Sequence, residues 1–214
     1  MVVQAPDAVE TPRIETPETY ITFEEFLTLD IEGRAEWVDG KVEKHMSVSL
    51  RHDQIFMFLA ELLRIFLRRR KLGSLHGSSY PMKIPNLARG REPDLMIVLK
   101  EHQDRRTPTF LDGVADICIE IVSPESVERD YVTKFEEYEK GGVAEYWLFD
   151  ANRRTAVFHV LDASGIYQEY PRDPKGRLIS SLLPGFALDP AFLWSDDLLD
   201  DDAVATAIEA ILAN

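Results

Sequence analysis

ADICIEIVSPESVERDYVTKFEEYEKGGVAEYWLFD, residues 115–150, reads as strand, turn, helix, strand. Ile117, Cys118, Ile119, Ile121 and Val122 form a short, nearly unbroken apolar run, the pattern of a strand buried on both faces. One carboxylate, Glu120, interrupts it, and a glutamate there is costly to bury unless it is paired, protonated or bound to a cation. Ser123-Pro124 breaks the strand, a helix follows to Lys140, and Gly141-Gly142 supplies its C-cap. Glu145–Asp150 is a second aromatic and apolar strand, so the unit predicts a crossover between neighbouring strands of one sheet. Asp130, Lys134 and Tyr138 stand at steps of four and share one helix face. If that face turns toward Glu120, an ammonium meets a carboxylate at the sheet.

Outward from this unit, the 214 residues suit one domain with a sizeable core and two short appendages. Residues 1–20 hold three prolines and many acids and read as a flexible acidic leader. Residues 21–194 form the domain, and 195–214 an acidic segment with a terminal helix. No apolar run of about 18 residues exists to cross a bilayer, and the N-terminus resembles neither a secretory signal nor a transit peptide. A single cysteine, Cys118, excludes an internal disulfide and is compatible with a cytoplasmic, reducing setting. Net charge is −14, from 24 basic and 38 acidic residues, which does not by itself favour nucleic acid. Its distribution is uneven: residues 51–106 carry 12 basic and 6 acidic groups, while both ends are acidic.

In chain order, Thr22 with Glu25 forms a capping box for a short helix. Asp39-Gly40 between short alternating runs predicts a tight hairpin, with Glu36 just before it. A long amphipathic helix begins after Ser49, carries His52 in its first turn, and ends in Arg68–Lys71, where cations suit the dipole. Residues 75–84 read as one edge strand because of Tyr80-Pro81, and 100–113 as a polar, mobile loop. A buried strand opens with Glu92-Pro93-Asp94, and 155–160 with 165–170 form a terminal hairpin. Asp196, Asp197 and Asp200–Asp202 read as a solvated start to the last helix.

Asp94 and Glu120 on adjacent strands would bring two carboxylates to one end of a sheet, an oxygen-donor set suited to Mg²⁺ or Mn²⁺. Phosphodiester hydrolysis uses such a site, and Lys134 could hold the attacking water beside it. The same residues also allow a purely structural account, with Asp94 capping a strand end and Lys134 neutralising Glu120 as a buried ion pair.

Pro93-Asp94, Glu120-Ile121-Val122-Ser123-Pro124, the Asp130–Lys134–Tyr138 face and Gly142–Trp147, preceded by Glu36–Gly40 and His52, together resemble the Uma2 family, also called DUF820 and common in cyanobacteria. The resemblance spans roughly residues 20–194. It implies a restriction-endonuclease-like α/β fold of the PD-(D/E)XK superfamily, with a mixed central sheet flanked by helices, acting on DNA with a divalent metal. The terminal hairpin and helix are additions to that core. The superfamily usually places lysine two residues after the second acid; here that position is Val122, which makes Lys134 the candidate in its stead. By this resemblance Asp94 and Glu120 ligate Mg²⁺ (or Mn²⁺) with the Ile121 carbonyl as third ligand, and Lys134 orients the attacking water. Glu36 assists, while His52, Tyr138 and Asp130 line the site. A homodimer would suit two-strand cutting, with the last helix offering an apolar face. The competing expectation is a non-catalytic nuclease-fold protein that binds or assembles, and a weaker one is hydrolysis of a smaller phosphate ester.

Overall fold

The computed structural model describes residues 20–44, 48–195, 198 and 201–212, with backbone alone at 201–203. The expected leader therefore lies outside the described residues save for Tyr20, as do the side chains of the acidic patch. The chain opens with α1 (Phe23–Phe26), whose Thr22–Glu25 capping box forms as expected, and continues into the hairpin β1 (Ala35–Val38) and β2 (Lys41–Lys44). Its turn takes Asp39 and Gly40 to φ of 48° and 78°, the left-handed geometry that a two-residue loop demands. The long helix α2 (Leu50–Arg70) follows Ser49, whose side chain accepts the His52 amide as an N-cap.

Next come β3 (Gly73–Gly77), β4 (Met82–Ile84), β5 (Arg89–Arg91), β6 (Leu95–Leu99), β7 (Leu111–Asp112) and β8 (Ile117–Val122). The crossover helix begins as a π-helical turn over Arg129–Thr133 and continues as α3 (Lys134–Gly141), closed by Gly142 at φ 83°. Then come β9 (Glu145–Asp150), β10 (Thr155–Leu161), β11 (Tyr167–Glu169), β12 (Leu178–Ile179), β13 (Ala187–Leu188) and α4 (Asp201–Leu212).

The main sheet has the order β11-β10-β9-β8-β6-β3; β8 and β9 run parallel and the other neighbours antiparallel. The strand–helix–strand reading of 115–150 is thus realised, and so is the α/β class with a mixed sheet flanked by helices. Ile117, Ile119 and Ile121 point to the α2 side, where Ile55, Leu59, Leu62, Leu63 and Phe66 are fully buried against them. Each such side chain contributes about 1.5–3 kcal/mol on leaving water. Cys118 and Val122 face the α3 side with Met96, Val98, Tyr138 and Tyr146.

Three expectations need correction. Residues 75–84 are not one strand: β3 is the edge of the main sheet, whereas β4 lies in a second, five-stranded sheet of order β2-β1-β5-β4-β7. Tyr80-Pro81 marks the break between them, since proline cannot continue a ladder. Residues 100–113 are tied down instead of loose, with a 3₁₀ turn over Lys100–Arg105, His102 Nδ1 lying 2.6 Å from Asp116 Oδ1 and Gln103 donating to the Val98 carbonyl at 2.6 Å. Finally, the apolar face expected to be free on α4 is turned inward over its described side chains, with Val204, Ala207 and Ile211 buried in the core shared with α2.

Candidate active site

Strand register builds the site. The β6–β8 ladder ends at the pair Leu95–Ile119, so β8 runs on past the start of β6. Asp94 fills the gap: its Oδ2 accepts the Ile121 amide at 2.8 Å, in place of a ladder carbonyl. In a strand, the amide and carbonyl of one residue leave the same edge, so the Ile121 carbonyl also opens toward Asp94. Side-chain alternation then sets Glu120 on the α3 face, between Cys118 and Val122. There it meets Lys134 and Tyr138, with Lys134 Nζ 2.8 Å and the Tyr138 hydroxyl 2.9 Å from Glu120 Oε1. Glu120 Oε2 accepts no hydrogen bond from any described residue.

The second sheet supplies what the main sheet lacks. Glu36, on β1, is 1% exposed; its Oε1 stands 3.2 Å from Lys134 Nζ and its Oε2 accepts Arg91 Nη1 at 2.7 Å. Arg91, also 1% exposed, grips Glu137 of α3 through Nε at 2.7 Å and Nη2 at 3.0 Å. This two-pronged pair fastens the second sheet to α3 and carries Glu36 up to Lys134. Arg89 joins Glu137 at 2.7 Å and also pairs with Asp39 of the hairpin turn.

His52, from the first turn of α2, places Nε2 3.1 Å from Asp94 Oδ2. Arg34, just before β1, donates from Nη1 to Asp94 Oδ1 at 2.8 Å. Asp130 is buried on the π-helical turn, its Oδ1 without a hydrogen bond and 3.6 Å from Arg129 Nε. Arg34, Glu36, His52, Asp94, Glu120, Ile121, Asp130 and Lys134 all line one cleft of about 220 Å³. Tyr138 does not; it is fully buried behind Glu120.

The electrostatics split the two carboxylates. Burial would raise Asp94, but the His52 hydrogen bond and the charges of Arg34 and Lys134 outweigh it and hold the group down to about 2. Burial raises Glu120 to about 8; Lys134 pulls against it, while Asp94, Asp130 and Glu36 push further up. Lys134 itself loses solvation, yet Glu120, Glu36, Asp130 and Asp94 more than compensate and keep it a firm ammonium. Asp130 is raised, chiefly by burial.

The donors fit a hard cation: two carboxylates, an outward carbonyl and an unpartnered Glu120 oxygen in a cavity with an excess of acid. No group of three or more His, Cys, Asp or Glu side chains among the described residues is arranged to hold a metal ion, so any such ion also needs main-chain or water oxygens.

The sequence reading did not pick out Arg34 or Arg91. Both precede or sit in very short strands, and nothing local in sequence marks them as partners of acids 46–60 residues away. No helix among the described residues is long and apolar enough to cross a membrane.

Comparison with known proteins agrees with this architecture. The fold matches the crystal structure of a protein from Anabaena variabilis ATCC 29413 described as "a putative nuclease belonging to DUF820", with a TM-score of 0.68 at 17% identity, covering 81% of this chain and 97% of that one. No curated protein matches the chain. The model of the family Uma2, described as "Putative restriction endonuclease", matches residues 23–191. The match embraces both sheets and every cleft-lining residue named above, and the chain belongs to the Uma2 family.

Proposed function

We propose that the protein is a divalent-metal-dependent DNA endonuclease acting from the Asp94–Glu120 cleft. One observation carries the reading: Glu120 lies buried in the middle of a core strand with one oxygen held by Lys134 and Tyr138 and the other unbonded toward the cleft. A buried carboxylate left half-satisfied has a cost that a bound cation would remove.

Asp94, Glu120 and the Ile121 carbonyl would hold Mg²⁺ or Mn²⁺. When bound, such an ion lowers the pKa of water and offsets charge developing at phosphorus. The chain's own residues do the rest. Asp94 is oriented by His52 and the Ile121 amide through a single oxygen, Oδ2. Lys134, kept protonated by the acids around it, donates hydrogen bonds to the attacking water and does not remove its proton. Glu36 holds the ammonium as a second carboxylate besides Glu120. Tyr138 holds Glu120 from behind, and Asp130 adds negative charge beside Lys134. In-line attack by the water oxygen breaks the P–O3′ bond, the water giving up its proton to solvent and the 3′ oxygen taking one from solvent, and leaves a 5′-phosphate. Cutting both strands calls for two clefts, and on that ground alone we read the protein as a homodimer; a single buried cysteine suits a cytoplasmic setting.

A non-catalytic binding or assembly role is the second reading. It draws on the donors already seated on Asp94 and on Glu120 Oε1, which form an ion-pair network without any metal. Supercoiled plasmid incubated with Mg²⁺ or Mn²⁺ separates the two. Conversion to nicked and linear forms by wild type, abolished by EDTA and by Asp94→Asn, supports the nuclease. Equal cleavage by wild type and Asp94→Asn places the chemistry elsewhere.

A further inference from the structure

Arg34 is held differently from the other cations around Glu120 and Asp94. Lys134 is clamped between two carboxylates, and Arg91 is saturated by Glu36 and Glu137. Arg34 makes one good bond, Nη1 to Asp94 Oδ1 at 2.8 Å, and one long bond, Nη2 to the Glu92 carbonyl at 3.4 Å. Its Nε is buried with no acceptor among the described residues. A guanidinium with five N–H donors is therefore under-used in a cleft where each missing bond is costly. Its side chain stays 27% exposed, against 3% for Lys134, so it reaches the mouth of the cavity. Gly33, the residue before it, has φ 88° and nothing within 4 Å of where a Cβ would stand, so no side chain crowds the root of Arg34 from that position.

The partner matters as much. Arg34 is the only described residue bonded to Asp94 Oδ1; Oδ2 is separately fixed by His52 and the Ile121 amide. Departure of Arg34 would expose Oδ1 beside the open Glu120 oxygen and leave the Asp94 carboxylate in place.

Resting on the metal-nuclease reading of this cleft, we infer that Arg34 is a phosphate-binding residue parked on Asp94 when no ligand is present. The divalent cation and Arg34 exchange for Asp94 Oδ1, and the released guanidinium turns its fork to the phosphodiester. The exchange avoids leaving Asp94 Oδ1 without a partner before the cation arrives. It also delivers a bidentate phosphate donor only when the cation is in position.

The test is calorimetric titration of Mn²⁺ into wild type, Arg34→Gln and Arg34→Lys, followed by binding of a short DNA duplex in Ca²⁺, with circular dichroism to verify folding. Arg34→Gln removes the competitor but also the phosphate donor, so the two affinities should move in opposite directions. Mn²⁺ should bind about three- to tenfold tighter and the duplex about tenfold weaker, the scale of one charge-assisted hydrogen bond. Arg34→Lys keeps the charge and loses the fork; it should return Mn²⁺ affinity toward wild type and recover only part of the duplex affinity. Unchanged or weaker Mn²⁺ binding by a folded Arg34→Gln overturns the exchange. Unchanged duplex binding overturns the phosphate role. Absence of Mn²⁺ binding in all three proteins overturns the metal reading of the cleft, and the exchange with it.

Discussion

Two glutamates lie buried on neighbouring strands of the main sheet, and the protein treats them in opposite ways. Glu145, at the start of β9, is fully buried and accepts five hydrogen bonds from neutral donors, none longer than 3.0 Å: from the Trp147 indole, the Ser180 and Ser181 hydroxyls and the Ser181 and Leu182 amides. Both its oxygens are occupied, and the segment after β12 wraps around it. Glu120, on β8, has Lys134 and Tyr138 on one oxygen and no hydrogen bond from a described residue on the other. A carboxylate enclosed by neutral donors joins distant segments of chain. One left open beside a second acid, in a cleft, is suited to a ligand.

The largest difference should appear in turnover. Lys134→Ala removes the ammonium between Glu120 and Glu36; cleavage should fall by about 10²–10³-fold, the scale for losing a preorganised donor. Mn²⁺ binding should survive in that variant, and a plasmid assay paired with calorimetry checks both. Glu145→Gln should show the reverse pattern. Its amide would face donors with a donor and destabilise the fold by about 3 kcal/mol in urea denaturation, while the folded fraction still binds metal. A Glu145→Gln protein as stable as wild type would erase the contrast between the two sites.

A third effect concerns pH. Glu120 is raised from an ordinary 4.5 to about 8, so the folded state binds its proton more tightly than the unfolded chain. The associated stability is complete below 4.5 and is lost as pH rises through about 8. Asp94 works in the other direction: held at about 2, it stabilises the fold above 3.8 and gives that up as pH falls toward 2. The metal-free protein should therefore lose stability between pH 5 and 8 by at most about 1.4 kcal/mol per pH unit. Glu120→Gln should flatten this slope, as read by urea midpoints across pH. A slope that persists in the variant would assign it to another group.

Much of this was legible in residues 115–150. The apolar run of β8 has few ways to be buried except in a central strand, and the glycine at 142 in the left-handed region ends α3 as its sequence indicates. Asp94, Glu120 and Lys134 could be placed together because strand alternation and the crossover leave little freedom. Other features were hidden for physical reasons. The second sheet is built from strands of two to four residues, too short to show a period, so Glu36 could be recognised only as an acid beside a hairpin. Arg91 and Arg34 act through partners 46 to 60 residues away. The role of Glu145 comes from donors 35 to 37 residues further on. The π-helical turn that carries Asp130 has no sequence period that distinguishes it from ordinary helix.

The most direct test of the central claim, that Glu120 is half-satisfied because it serves a cation, is calorimetric titration of Mn²⁺ and Mg²⁺ into wild type and Glu120→Gln. The account predicts saturable binding to wild type that disappears in a variant with unchanged circular dichroism. Equal binding to both proteins, or none to either, would contradict it.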